Sequence, residues 1–264
     1  MSRSVFEAGF FHKLLTSTLF MMVVCLLLVR DHDLVVQQQC KPEPENTSTQ
    51  FSAPVRYQNN FEKSPLKNRA QLGDYLEELG FTTGAELGVQ SGAYSAVLLN
   101  RWKHCEKFYL IDVWAAVPNY KDFANASNAT NAQLMRTAQR ALAKYANQTV
   151  FIQARTDQAA QQFANESLDF IYLDARHDYC AVRGDLRSWW PKLKVGGIFG
   201  GHDYVTHDEV DPRQDWQQCE DGSRQPGAVK RAVDEFAEQR HLVVSVMYRE
   251  PRDNSYIMRK DART

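Results

Sequence analysis

Two short polar runs in the second half of the chain hold the residues best suited to chemistry. The first contains Asp174 and His177, and the second contains His202 and Asp203. Each run follows a predicted strand, and open α/β folds bind ligands where parallel strands end. Two acids and two histidines therefore converge on one crevice. An imidazole with a pKa near 6.5 can take up a proton near neutral pH, so proton transfer is the chemistry that these residues predict.

A glycine-containing turn earlier in the chain has the features of a second ligand-binding strand end. The turn runs from a predicted strand into a predicted helix and contains Glu86, Gly88, Gly92 and Ser95. Glycines let the backbone pass close to a ligand, and amides at a helix start offer hydrogen-bond donors. A glycine-rich turn without any ligand shows the same pattern, so the turn alone leaves binding open.

The next predicted strand ends in an acid with the position expected for nucleotide binding. In Rossmann-type sheets a carboxylate at this strand tip accepts hydrogen bonds from the ribose hydroxyls. Asp112 is in that position, and an adjacent apolar side chain such as Val113 can cover the adenine. The alternative is that Asp112 caps the following helix. The strand, the spacing and the glycine turn together favour ribose binding.

The elements that must position these residues alternate between short apolar runs and amphipathic stretches. Such alternation predicts a mostly parallel sheet with helices on both faces. The strands are predicted at 84–89, 107–113, 149–154, 169–175, 197–203, 242–248 and 254–259, and the helices between them at 93–102, 131–146, 157–164, 178–193 and 226–239. The turn between the last two strands is too short for a crossover helix, so these strands should form an antiparallel hairpin.

Several runs resemble one known family. The runs are DARHDY, GDLRSWWPKLKVGG, GHDY, GAELGVQSGAYS and IDVWAAVPNYKDFAN. They are similar to class I S-adenosylmethionine-dependent methyltransferases, in the group that includes macrolide-sugar O-methyltransferases. The resemblance covers nearly all of residues 67–264. It implies a Rossmann-like doubly wound sheet of seven strands, mostly parallel with an antiparallel C-terminal strand. It also implies methyl transfer from S-adenosylmethionine to an oxygen.

The resemblance also implies roles for individual residues. Glu86 and Gly88 would lie near the methionine moiety, Asp112 would bind the ribose, and the turn at Thr156 and Asp157 would meet the adenine. Asp157 could instead cap the helix that follows it. His177 is predicted to be the general base that takes the proton of an acceptor hydroxyl, unless it only forms local bonds at the start of its helix.

Metal-dependent relatives hold a divalent cation with an acid at the position of Asp174 and oxygen ligands at the positions of His202 and Asp203. In this chain the second of these three positions is a histidine, His202. Hard Mg²⁺ prefers oxygen ligands, whereas a histidine is better suited to Mn²⁺, Fe²⁺ or Zn²⁺. The resemblance therefore implies a possible Mg or Mn site, with the alternative that His202 points away and orients Asp203.

The N-terminal quarter of the chain differs from the rest. After a short tail at residues 1–13, residues 14–29 are uncharged and almost wholly apolar, and residues 30–66 are polar with several prolines. We expect a transmembrane signal anchor, a flexible stem and a methyltransferase domain over residues 67–264. A cleaved signal peptide is the rival interpretation, although no small-residue cleavage pattern follows the apolar run.

Glycosylation acceptors and cysteines indicate where the domain resides. Acceptors of the N-x-[ST] type occur at Asn46, Asn125, Asn128, Asn147 and Asn165, where roughly one would arise by chance. Apart from Cys25 in the apolar run, four cysteines remain, Cys40, Cys105, Cys180 and Cys219. This even number could form two disulfides in an oxidising compartment. These features predict a type II membrane protein of the Golgi or endoplasmic reticulum with a lumenal catalytic domain.

Three functions are consistent with these features. The first is an O-methyltransferase acting on a sugar or glycan, the second a cytosol-facing enzyme acting on a phenol or another small metabolite, and the third a non-catalytic anchored binding module. The formal net charge of -1 gives no basic excess, so we expect no nucleic-acid partner. The sequence leaves the oligomeric state open.

Overall fold

The computed structural model describes residues 61–63, 66–249 and 253–262. The predicted anchor at residues 14–29 and nearly all of the predicted stem lie outside these ranges. Within the described ranges, none of the helices has the length and apolar character needed to cross a membrane.

An eight-stranded sheet forms the centre of the domain. Its strands are β1 (Phe61–Lys63), β2 (Thr83–Leu87), β3 (Lys107–Asp112), β4 (Thr149–Gln153), β5 (Leu168–Leu173), β6 (Leu193–Gly201), β7 (Val244–Met247) and β8 (Ser255–Arg259), in the order β1-β7-β8-β6-β5-β2-β3-β4. Only β8 runs antiparallel to its neighbours in this sheet. The seven predicted strands and the reversed last one are confirmed.

The eighth strand comes from a stretch that the sequence assigned to the stem. β1 pairs in parallel with β7, and Phe61 lies opposite Val244. The sheet changes direction between β5 and β2, because the chain moves outward from β2 through β3 to β4 and then returns to the other side of β2. Ligands of doubly wound sheets bind at such a switch point, beside the carboxyl ends of the strands.

Six α-helices cover the sheet among the described residues. They are α1 (Leu72–Glu78), α2 (Ala93–Arg101), α3 (Asn128–Ala141), α4 (Thr156–Ala160), α5 (Tyr179–Trp189) and α6 (Ala228–Gln239). α3 begins three residues before its predicted start because Ser127 caps it, with its side chain accepting from the amide of Thr130. α5 ends at Trp189, where a 3₁₀ turn containing Pro191 replaces the predicted last turn.

Both faces of the sheet are buried, as expected for a doubly wound fold. Along β5, Ile171 and Leu173 pack in one hydrophobic cluster, whereas Phe170 and Tyr172 pack in the other. The alternation follows from the two-residue period of a strand. Trp189, near the end of α5, is fully buried in the first cluster.

Candidate active site

A cavity of about 610 Å³ opens at the switch point of the sheet. Most of the predicted site residues line it, namely Glu86, Gly88, Asp112, Val113, Thr156, Asp157, Asp174 and His177. Four predicted residues do not line it: Gly92, Ser95, His202 and Asp203. The structure therefore brings the two polar runs and the glycine turn to one place, and it leaves part of the predicted set behind the cavity wall.

The glycine turn between β2 and α2 touches the end of β5. Gly88 has a φ of +89°, and a Cβ atom built on it would lie 1.9 Å from the carbonyl oxygen of Asp174. Any side chain at this position would collide with backbone. Only glycine can satisfy both the left-handed conformation and the close approach of the two strand ends.

Asp112 holds the glycine turn in place. Its Oδ2 accepts hydrogen bonds of 2.8 Å from the amides of Val89 and Gln90, and its Oδ1 accepts one of 2.8 Å from the amide of Trp114. A carboxylate has about four acceptor sites, so three are occupied and one is left for a ligand. The carboxylate thus shapes the turn as well as lining the cavity.

Glu86 is almost completely buried, at 2% exposure. Burial raises the pKa of its carboxyl to about 8, although a 2.5 Å hydrogen bond donated by Ser95 Oγ opposes that shift. At neutral pH the group is therefore mostly protonated. Ser95 acts on the cavity only through Glu86, because its own side chain is fully buried behind the wall.

His177 directly precedes Asp178, the N-cap of α5, so it lies at the helix start as predicted, and the helix begins at Tyr179, one residue later than predicted. Its Nδ1 atom is 3.1 Å from Asp122 Oδ2 and 3.0 Å from the hydroxyl of Tyr120. Its Nε2 atom is 3.1 Å from Asp203 Oδ2, an ion-pair distance without hydrogen-bond geometry. His177 is therefore held in place by other side chains as well as by its position in the chain.

Burial by itself would lower the pKa of His177, but the surrounding carboxylates outweigh burial. Asp203, Asp122 and Asp174 together raise that pKa well above its usual value. A raised pKa means that the ring holds its proton more strongly, so His177 can act as a base only in the fraction of molecules in which the ring has lost that proton.

Two residues that the sequence-based analysis did not select complete the surroundings of His177. Trp216 packs its ring 4.4 Å from the imidazole, and its Nε1 donates a 2.5 Å hydrogen bond to Asp122 Oδ2. Asp122 belongs to the loop between β3 and α3, and Trp216 lies far along the chain. No local pattern marks either residue, because neither lies in a periodic element.

Residues 205–227, which we call the covering segment, are attached to the cavity wall. A disulfide joins Cys219 of this segment to Cys180 in the first turn of α5. Glu220 forms a bidentate ion pair with Arg155, with both N–O distances at 2.8 Å. The prediction of two disulfides is wrong for Cys105, which is free and buried. Cys40 lies outside the described residues.

The predicted adenine contacts are arranged differently from the sequence-based expectation. α4 begins at Thr156, so Asp157 lies inside its first turn and is not the cap. The carbonyl of Thr156 accepts a 3.1 Å hydrogen bond from Trp189 Nε1, and Asp157 Oδ1 accepts one of 2.9 Å from the amide of Gln158. Both residues still line the cavity.

The predicted metal ligands only partly cluster. Asp174, His177 and Asp203 each place a ligand atom within 4.8 Å of the others. His202 instead directs Nδ1 to Asp203 Oδ1 at 2.9 Å. The clustered donor set is two carboxylates and one imidazole, which suits Mn²⁺, Fe²⁺ or Zn²⁺ better than Mg²⁺. The residues fit a cation of that kind, with His177 in the place predicted for His202.

Arg69 is a further cavity residue that sequence reasoning did not select. It precedes α1, and its Nη1 lies 3.3 Å from Asp174 Oδ2. Its guanidinium lies over the ring of Tyr94, 4.9 Å from the centroid. A cation therefore stands at the same end of the cavity as Glu86 and the start of α2.

The doubly wound sheet, the glycine turn and the acid at the tip of β3 define a Rossmann-like nucleotide-binding domain. The family model described as a methyltransferase domain matches residues 85–204. The protein is a methyltransferase, and S-adenosylmethionine is the cofactor that this match supports.

Solved structures show the same fold at low sequence identity. An O-methyltransferase, provisionally so named, from Klebsiella pneumoniae is 16% identical with a TM-score of 0.50, over 74% of this chain and 80% of that one. The O-methyltransferase NovP is 17% identical with a TM-score of 0.50, over 73% of this chain and 78% of that one. An SAH-bound methyltransferase from Podospora anserina is 13% identical with a TM-score of 0.49, over 73% and 78% of the two chains. No curated protein matches the sequence significantly.

Proposed function

We propose that this protein is an O-methyltransferase that methylates a hydroxyl group of a sugar or glycan. The observation that carries the proposal is the placement of His177, which lines the cavity while carboxylates on three other segments hold its ring. When bound, S-adenosylmethionine supplies a methyl group on a positively charged sulfur. A hydroxyl oxygen becomes nucleophilic towards such a methyl group once its proton is removed.

His177 is the group that would take this proton, at Nε2. Asp122 and Tyr120 hold the ring through Nδ1, so the proton would be taken at Nε2, which faces Asp174 and Asp203. Asp174, 3.5 Å from Nε2, would stabilise the positive charge that the ring acquires. In this proposal His177 and Asp174 are the catalytic residues, and Asp122 and Trp216 are positioning residues.

The experiment that tests the function is transfer of a labelled methyl group. The protein is incubated with methyl-labelled S-adenosylmethionine and with matched panels of free sugars, glycans and simple phenols. We expect label in the sugar or glycan panel. Label in the phenol panel alone would keep the enzyme class and overturn the proposed acceptor, whereas no label in any panel would overturn the O-methyltransferase itself.

Glu86 gives a prediction about the pH dependence of cofactor binding. Its pKa is raised to about 8 by burial, so it is mostly protonated at pH 6 to 7. We propose that it pairs with the ammonium group of the methionine moiety, which requires the carboxylate form. Binding of S-adenosylhomocysteine should then release a proton, and affinity should rise from pH 6 towards pH 8, by at most about tenfold per pH unit.

Calorimetry in buffers of different ionisation enthalpy measures this proton directly. The matched control is Glu86→Gln, in which no carboxyl can titrate and the pH dependence should flatten. Equal proton release by the wild type and Glu86→Gln would assign the proton to another group and contradict the prediction.

A divalent cation is the alternative to His177 as the group that activates the acceptor hydroxyl, because His177 cannot bind the cation and take the proton with the same nitrogen. Asp174 and Asp203 would be its carboxylate ligands, and it would lower the pKa of an acceptor hydroxyl. The predicted result is that chelator treatment abolishes methyl transfer and that Mn²⁺ restores it more fully than Mg²⁺. Full activity after chelation would show that methyl transfer needs no metal ion at Asp174, His202 and Asp203.

We also propose that the domain is lumenal, on a type II membrane protein of the Golgi or endoplasmic reticulum. The disulfide between Cys180 and Cys219 supports an oxidising compartment. Asn147 and Asn165 are exposed acceptors, whereas Asn125 is held by hydrogen bonds to the backbone of Val117 and Tyr120. Expression of the full chain in mammalian cells should give a band that endoglycosidase shifts, and an unshifted band would contradict a lumenal domain.

A further inference from the structure

Arg69 has the position and chemistry of a ligand for a carboxylate. It lines the cavity beside Glu86, Gly88 and Tyr94, at the start of α2. Its guanidinium presents a planar fork of N–H donors, a shape that matches a carboxylate in two parallel hydrogen bonds. The ring of Tyr94 lies beneath the guanidinium, and the Tyr94 hydroxyl donates to the carbonyl of Arg69 at 3.3 Å. Arg69 is thus oriented from two sides.

The charge balance of the cavity makes such a cation necessary. Acids outnumber basic side chains on the wall: Glu86, Asp112, Asp157, Asp174, Asp178, Asp185, Glu220 and Asp221 against Arg69, Arg155, Arg176 and His177. A ligand carboxylate would be repelled by this wall unless a cation met it. The three arginines are the basic side chains of this wall that stay charged at any pH near neutral.

The other two arginines are committed elsewhere. Arg155 makes the bidentate pair with Glu220 of the covering segment. Arg176 pairs with Asp178 and donates to backbone carbonyl oxygens, including that of Asn119 at 2.7 Å. Arg69 also has partners, Asp174 at 3.3 Å and the side chain of Tyr172, but the side chains of Arg69 and Asp174 are partly exposed to the cavity, at 30% and 25%.

We infer that Arg69 binds the carboxylate of the methionine moiety of S-adenosylmethionine. The inference rests on the proposed placement of that moiety beside Glu86. The two ends of one amino-acid group are then recognised by opposite charges, the ammonium by Glu86 and the carboxylate by Arg69. Arg69 lies before residue 85, outside the segment that matches the methyltransferase family model.

The test compares two ligands that differ only in the carboxylate. S-Adenosylhomocysteine and its decarboxylated analogue are titrated into the wild type and into Arg69→Gln by calorimetry. We expect Arg69→Gln to weaken binding of S-adenosylhomocysteine by about tenfold to a hundredfold, because a charge-assisted pair is lost. Arg69→Gln should change binding of the decarboxylated analogue by less than about threefold. The effect of removing the arginine and the effect of removing the ligand carboxylate should therefore not be additive.

Two further variants separate recognition from structure. Arg69→Lys keeps the charge but loses the fork and should weaken S-adenosylhomocysteine less than Arg69→Gln does. Arg101→Gln breaks another arginine–aspartate pair, with Asp74, away from the cavity and should leave both ligands unaffected. Equal weakening of both ligands by Arg69→Gln, or no weakening of either, would overturn the inference. Failure of the wild type to bind S-adenosylhomocysteine would instead overturn cofactor binding itself.

Discussion

Replacement of His177 by alanine should lower kcat by about a hundredfold to ten-thousandfold, the range that a positioned general base contributes. The acceptor hydroxyl would lose the group that takes its proton, whereas the glycine turn and Asp112 would be unchanged. We therefore expect the dissociation constant for S-adenosylhomocysteine to stay within about twofold to threefold of the wild type. Methyl-transfer kinetics and calorimetry on the same preparation measure both quantities.

The alanine variant also leaves Asp122, Asp174 and Asp203 without their shared partner, which could unsettle the fold around the cavity. His177→Gln addresses this, because glutamine keeps polar contacts with the carboxylates but cannot act as a base at neutral pH. The same loss of kcat in both variants would identify the proton acceptor. His104→Ala, at an exposed histidine far from the cavity, should retain full activity. If either His177 variant turned over at the wild-type rate, either another residue would be the base or the reaction would need no base.

The second large effect is expected at Asp112. Asp112→Ala should weaken binding of S-adenosylhomocysteine by at least about tenfold, for two reasons. The ribose hydroxyls would lose their acceptor, and the amides of Val89, Gln90 and Trp114 would lose theirs, so the glycine turn could relax. Calorimetry gives the affinity, and thermal unfolding of the protein without ligand gives the stability of the turn.

The combination of the two measurements separates the roles of Asp112. Lower thermal stability with unchanged affinity would mean that Asp112 only holds the turn, and it would remove this residue from the binding site. Asp157→Ala is the matched control, since Asp157 also lines the cavity but is 58% exposed and accepts bonds only from its near neighbours in the chain, Arg155 and the amide of Gln158. Its effect on affinity should be smaller than that of Asp112→Ala.

The sheet could be predicted from the sequence because its strands are marked by local patterns. Seven strands are continuous apolar runs, and Glu86, Gly88 and Asp112 lie at fixed distances from two of them, so topology alone brings these residues together. β1 was not predicted because three residues are too few to show a period. Its place in the sheet depends on the exposed edge of β7, which is a tertiary contact.

The surroundings of His177 could not be predicted in the same way. Asp122 and Trp216 meet across loops that have no helical or strand period, and 94 positions separate them in the sequence. The helix boundaries show the same limit, since Asp157 is a good cap by composition but the helix already begins one residue before it. The pairing of Cys180 with Cys219 was also open, because four cysteines allow three connectivities.

The bond between Cys180 and Cys219 has a practical consequence for these assays. It is a covalent connection between the start of α5 and the segment that carries Trp216, so it helps to hold the Trp216 ring against His177. Protein produced in a reducing bacterial cytosol would lack this cross-link. Recombinant material should therefore be secreted or exported to the periplasm, and its thiols titrated, before turnover is measured.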